Sequence, residues 1–157
     1  LWLSATLEQR VLNRAFEDLS MRKVAANALR VLLHLAVNTG RPVPISEIAG
    51  AYGISQNHLV KVVHDMVKSG LLESTRGRSG GVALARPAEE IRLGQVVLDS
   101  EPDMKLVDCD DCAIARVCGL PLPLQEATRA FIEVLDRYTV ADMVASSPGL
   151  SRALASV

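Results

Sequence analysis

Between Ile45 and Leu84 the chain sets two short amphipathic runs end to end and follows them with two β-prone runs split by glycines. Few folds accept that order. Ile45 to Tyr52 is entered through Pro44 and places Ile45, Ile48 and Ala49 on one face, a helical period. Gly53-Ile54-Ser55 interrupts it, with Gly53 free to take the positive φ of a tight turn. Gln56 to Ser69 resumes the helical pattern with Leu59, Val62, Val63, Met66 and Val67 inward, Ser55 as its cap and Gly70 as its stop. Leu71 to Thr75 and Val82 to Leu84 read as strands around Arg76-Gly77-Arg78-Ser79-Gly80-Gly81. Helix, glycine turn, helix and two-stranded hairpin is the order of a winged helix-turn-helix.

The flanks predict a mainly α chain around that unit. Lys23 to Asn38 is apolar nearly all round, the pattern of a helix buried on most sides, and Thr39-Gly40-Arg41-Pro42 stops it. His34 within it reads as a core or interface histidine. A short helix, Leu93 to Leu98, follows Pro87. Pro121 and Pro123 open a long last helix whose apolar residues Leu124, Ala127, Phe131, Val134 and Tyr138 are spaced 3, 4, 3 and 4. That is a two-heptad seam, the mark of a helix that meets a partner. Residues 1–20 carry a helical pattern of their own (Leu3, Leu7, Val11, Ala15, Leu19) ahead of Met21, which reads as a start-codon product. The expected organisation is therefore an N-terminal extension, native or appended (1–20), a winged helix-turn-helix (21–86) and a connecting helix with a cysteine loop (87–120). A dimerisation helix (121–144) and a tail (145–157) complete it.

Charge narrows the function. The 157 residues total −1, so the chain is no polycation, yet Ser55 to Arg86 holds five Lys/Arg against two Asp/Glu. A local basic surface of this kind suits a nucleic-acid partner. The exposed positions of the second helix are Gln56, Asn57, His58, Lys61, His64 and Lys68. With Ser55 beside them, these are the residue types that meet base edges and phosphates in a major groove. Arg76 and Arg78 sit on a slim glycine-rich tip that can enter a minor groove. A winged helix used only to bind another protein is the competing reading. No nucleophile–base pair or phosphate loop points to an enzyme. The apolar runs are too short for a membrane span, and no leader pattern is present, so a cytoplasmic location is expected.

All three cysteines, Cys109, Cys112 and Cys118, fall within ten residues, in an acidic stretch. An odd, clustered set with no export signal reads as a metal site rather than a disulfide framework. Thiolates select zinc, copper(I) or iron–sulfur clusters. A three-cysteine site needs a fourth ligand from elsewhere or keeps a position open, as a sensor of small molecules would.

These segments together resemble the Rrf2 family of bacterial winged-helix regulators, and its nitric-oxide-sensing branch most of all. The likeness runs from about Met21 to Val144. It rests on ALRVLLHLA (28–36), ISEIAGAYGISQNHLVKVV (45–63), GLLESTRGRSGGVAL (70–84), the cysteine loop and YTVADMV (138–144). NHLVK (57–61) and SEPDMKLVDC (100–109) are the segments most like the nitric-oxide sensors. The resemblance implies a homodimer on double-stranded operator DNA. Cys109, Cys112 and Cys118 would hold a 4Fe–4S or 2Fe–2S iron–sulfur cluster, and nitric oxide, redox or iron status would alter operator affinity. A zinc-bound or metal-free thiol-redox regulator is the alternative. Two features depart from the family. Its members usually separate the first two cysteines by more than two residues. The fourth ligands some members use, an Asp before the ALR motif or a His three residues after the third cysteine, are replaced here by Ala25-Ala26-Asn27 and by Pro121. Glu17, Asp18, Asn27, Asp108, Asp110, Asp111 or an exogenous molecule are the candidates for that position.

Overall fold

The structure, a computed structural model, describes residues 23–155 other than 78, 103 and 108. The helical pattern of residues 3–19 and the candidates Glu17, Asp18, Arg78 and Asp108 lie outside the described residues. Helix α1 (Lys23–Val37) is the centre of the molecule. It packs against α3 (Gln56–Lys68), β2 (Gly81–Leu84), α4 (Leu93–Ser100), α6 (Val140–Ala145) and α7 (Leu150–Ala155). Ala28, Val31, Leu32 and Leu35 form the stripe that enters the core, Val24, Leu29, Leu33 and Ala36 pack against it partly buried, and Arg30 is exposed. That core also takes Ile48 and Ala49 from α2 (Ile45–Tyr52), and Leu59, Val62, Val63 and Met66 from α3.

The helix-turn-helix is built as its sequence predicts. Gly53 is left-handed at φ 62°, and its N–H closes α2 onto the carbonyls of Ala49 and Gly50. One expectation fails. Ser55 makes no side-chain capping bond at the start of α3; its carbonyl instead accepts the Leu59 N–H at 3.0 Å, so the helix is closed by backbone alone.

The wing is the two-stranded hairpin the sequence suggests, with one addition. β1 (Leu72–Thr75) and β2 pair antiparallel from Leu72–Leu84 to Thr75–Gly81. Val43, in the short link between α1 and α2, adds an isolated bridge on β2, exchanging two 2.9 Å hydrogen bonds with Val82. The close approach leaves no room beside Gly81, where a Cβ would stand 2.5 Å from the backbone of Val43.

Beyond the wing, one turn of 3₁₀ helix (Ala88–Glu90) leads to α4, and a loop carries the chain to α5 (Pro121–Leu135). The helix expected from Pro121 to Tyr138 stops at Leu135. Arg137 and Tyr138 close short i→i−3 bonds, and the Tyr138 carbonyl then accepts the Leu93 N–H at 3.0 Å. Thr139 opens α6 with a capping box, its hydroxyl accepting from the Asp142 N–H while Asp142 accepts from the Thr139 N–H. Backbone pairing with the segment before α4 outcompetes one more helical turn.

His34 is fully buried on α1 with neither ring nitrogen hydrogen-bonded. Its Nε2 lies 3.6 Å from Glu47 Oε1, and its ring meets the Tyr52 ring edge-on at 5.9 Å. Arg41 donates to both Glu47 oxygens, at 3.0 and 2.6 Å, tying the α1–α2 link to α2. That guanidinium above all, and His34 to a lesser extent, draw the Glu47 carboxyl below the usual carboxylate range.

Two stability predictions follow from this packing. Ala at position 81 is expected to lower unfolding stability by about 1–3 kcal/mol through its clash with Val43. Ala in place of the exposed, uncrowded Gly50 in α2 is expected to raise it by up to about 1 kcal/mol. Urea midpoints of the two variants check both signs. The Glu47 pairing stabilises the fold while the carboxylate is ionised. The stability gap between wild type and Glu47→Gln is therefore expected at neutral pH and should close as pH falls through the carboxylate range. Denaturation midpoints across an acid series check that sign.

Candidate functional site

Helix α3 buries one stripe and turns the other to solvent. Gln56, Asn57, Lys61, His64 and Lys68 are exposed as expected, and Ser55 is exposed just before them. His58 differs: it is half-buried, and its Nε2 is enclosed without a hydrogen-bond partner. Position 58 adjoins the buried Leu59 and faces partly inward, which hydropathy alone does not disclose. β1 packs on α3, so the exposed Arg76 just past β1 belongs to the same basic end of the molecule. The tip beyond it turns on Gly77 at φ 110°, with the Gly80 N–H bonded to the Gly77 carbonyl at 3.0 Å.

The cysteine loop is a run of tight turns. Cys112 N–H reaches the Cys109 carbonyl at 3.4 Å, Ala115 N–H the Cys112 carbonyl at 3.1 Å, and Cys118 N–H the Ile114 carbonyl at 2.9 Å. The two-residue spacer thus closes one turn and holds Cys109 and Cys112 as neighbours. All three thiols are free of disulfides; Cys112 is exposed, and Cys109 and Cys118 are half-buried. A single zinc or iron ion needs its donors about 2.0–2.3 Å from one point. No group of three or more His, Cys, Asp or Glu among the described residues is gathered that way. An iron–sulfur cluster spreads its ligands over several irons, and three thiols on one loop fit that group in donor chemistry.

The described candidates for a fourth ligand differ in access. Asn27 is buried on α1, and its Oδ1 accepts from Arg30 Nη1 at 3.1 Å. Asp110 and Asp111 are exposed on the loop itself, and Lys105 stands 3.9 Å from Asp110.

The loop runs directly into α5, and the structure divides the predicted seam of that helix. Leu124 is half-buried, on the same stripe as Thr128, Ile132 and Leu135, and α5 packs on α4. Ala127, Phe131 and Val134 are exposed, and so is Tyr138 beyond the helix end. Sequence spacing missed further uncovered apolar groups: Leu122, on another side of α5, is 69 % exposed and Val117 on the loop 85 %, with Leu106, Ile114 and Leu120 exposed as well. Uncovered apolar surface on this scale marks an interaction face. The far end of α5 is clamped to the body. Arg92 donates to the Asp136 carbonyl at 2.8 Å, and a Cβ on Gly94 would meet the Ile132 carbonyl at 2.8 Å.

Among the described residues, no helix is long and apolar enough to cross a membrane. In cluster-free protein, Cys112 is expected to alkylate before Cys109 and Cys118; timed labelling with mass-spectrometric peptide mapping checks the order.

Residues 21–146 match the family described as Rrf2, iron-dependent transcriptional regulator. The chain is 38 % identical over 133 residues to a protein of Bacillus licheniformis named HTH-type transcriptional regulator NsrR, a span of 81 % of this chain and 93 % of that one. It is 43 % identical over 123 residues to the Geobacillus kaustophilus protein of the same name, spanning 74 % and 84 % of the two chains. Among solved structures it resembles CymR, the global cysteine regulator of B. subtilis, with a TM-score of 0.64 and 25 % identity over 79 % of this chain and 95 % of that one. It also resembles T. potens IscR, with a TM-score of 0.64 and 27 % identity over 80 % and 85 %. A winged helix with an uncovered apolar helix and a free cysteine loop, matched along most of its length, makes this chain a member of the Rrf2 family of transcriptional regulators, not an enzyme.

Proposed function

We propose that this Rrf2 regulator binds operator DNA as a homodimer, in the cytoplasm, and that an iron–sulfur cluster held by Cys109, Cys112 and Cys118 sets its affinity. The observation that carries the reading is one loop bearing three free thiols, joined without a break to an uncovered apolar helix. When bound, a cluster supplies iron that nitric oxide and oxidants can attack. The relatives named NsrR favour nitric oxide as the signal.

The residues of the chain divide the work. Ser55, Gln56, Asn57 and Lys61 present polar and cationic groups to a major groove, with His58 set partly inward beside them, and Arg76 and Arg78 extend the contact along the wing. Ala127, Phe131, Val134 and Tyr138 give a second copy an apolar face, with Leu124 at its margin. A two-fold pair of winged helices reads half-sites about one DNA turn apart. Because α5 joins the cysteine loop at one end and is clamped by Arg92 at the other, loop conformation and the spacing of the two winged helices are mechanically linked.

Protein purified without oxygen is expected to be brown and to contain iron and sulfide. Its gel shift on its own promoter fragment should change by about tenfold after a nitric-oxide donor. Cys118→Ser is expected to be colourless. Arg76→Ala, which removes one cation from each subunit of the pair, should flatten the dependence of log affinity on log salt by about two units. Zinc without sulfide would overturn the cluster and leave the DNA reading; equal affinity with and without the cluster would remove the sensor role.

A further inference from the structure

Within residues 23–97 a single large hydrophobic side chain among the described residues stands exposed: Val60, at 43 %. The other exposed ones are Leu98, at the end of α4, and a group between positions 106 and 138, on the cysteine loop and α5. Val60 stands apart from that group in the chain. It lies in the middle of the polar face of α3, one turn after Gln56, one turn before His64 and next to Lys61. The inward stripe of α3 is complete without it, since Leu59, Val62, Val63 and Met66 fill the core side. Helix propensity does not account for it either. A β-branched side chain loses rotamer freedom in a helix, and Lys, Gln or Glu serve a solvated position better.

We propose that Val60 reads a thymine, packing on its 5-methyl group in the major groove. This rests on the DNA-binding reading of α3. Base edges in that groove offer hydrogen-bond donors and acceptors at every pair, and the thymine methyl is the one apolar group among them. Gln56, Asn57, Lys61 and His64 supply the polar half of a readout, and Val60 supplies the apolar half from the centre of the same face. Its stiff side chain is already confined by the helix, so little freedom is lost when it is covered.

The test uses a duplex selected from a random-sequence library by the wild-type protein. Each thymine in turn, on both half-sites, is replaced by deoxyuracil, which keeps every hydrogen-bonding group and removes the methyl alone. Wild type is expected to lose about fivefold in affinity at one thymine per half-site, the worth of one buried methyl contact. Val60→Ala is expected to bind the selected duplex more weakly and to be indifferent to uracil at that position. Val60 lies outside the buried core cluster, so the variant should stay close to the wild-type unfolding midpoint. Indifference of the wild type to uracil at every position would overturn the proposal, and so would undiminished uracil sensitivity in Val60→Ala. Failure of the wild type to enrich any duplex would instead remove the DNA-binding reading, and this assignment with it.

Discussion

Everything else in the fold is arranged around the burial of α1. Apart from the exposed Arg30 its described residues are buried or partly buried, and the elements that pack on it are layers that cover it. α3 and β2 of the wing pack on it, and so do α4 and α6. The helix with the candidate polar face and the helix that leads to the cysteine loop thus share one packing partner. Interiors packed at crystal-like density transmit displacement rather than absorb it.

Two small devices keep that arrangement in register. At one end, Arg41 and Glu47 pin the link between α1 and α2, with His34 enclosed beneath them. Val43 in that link also bridges to Val82 of the wing, so helix-turn-helix and wing share one anchor. At the other end, Leu93 and Val140 exchange backbone bonds with Tyr138 and Ile91, and Arg92 holds the last turn of α5. The first device shapes the basic surface. The second fixes the angle at which α5 leaves the body, and so where a second copy would sit.

The winged helix was legible in the sequence because its signals are local. Gly53 and Gly70 end helices through backbone conformations that other residues adopt at a cost, and alternation of buried and exposed positions reports helix and strand directly. The bridge at Val43 was not legible, since one residue pairing across nearly forty positions leaves no periodic trace. The end of α5 was misjudged for a related reason. The 3, 4, 3, 4 spacing continues to Tyr138, but a non-local backbone bond from Leu93 claims the carbonyl there. His58 was placed outward by polarity, whereas its position beside Leu59 turns part of the ring inward.

By itself, the sequence determined the kinds of element, their order, the local excess of positive charge between Ser55 and Arg86, and the presence of three thiols within ten residues. All of these follow from composition and short-range period, which a chain carries before it folds. Only the tertiary structure decided which apolar residues stay uncovered. Phe131 and Leu124 look alike in a heptad count, yet Leu124 is half-buried and Phe131 is left 39 % exposed. Val60 and Val62 are two residues apart in one helix, and packing against α1 buries the second while the first is left in the polar face. Exposure is a property of what neighbouring elements cover, and no residue's own chemistry specifies its neighbours.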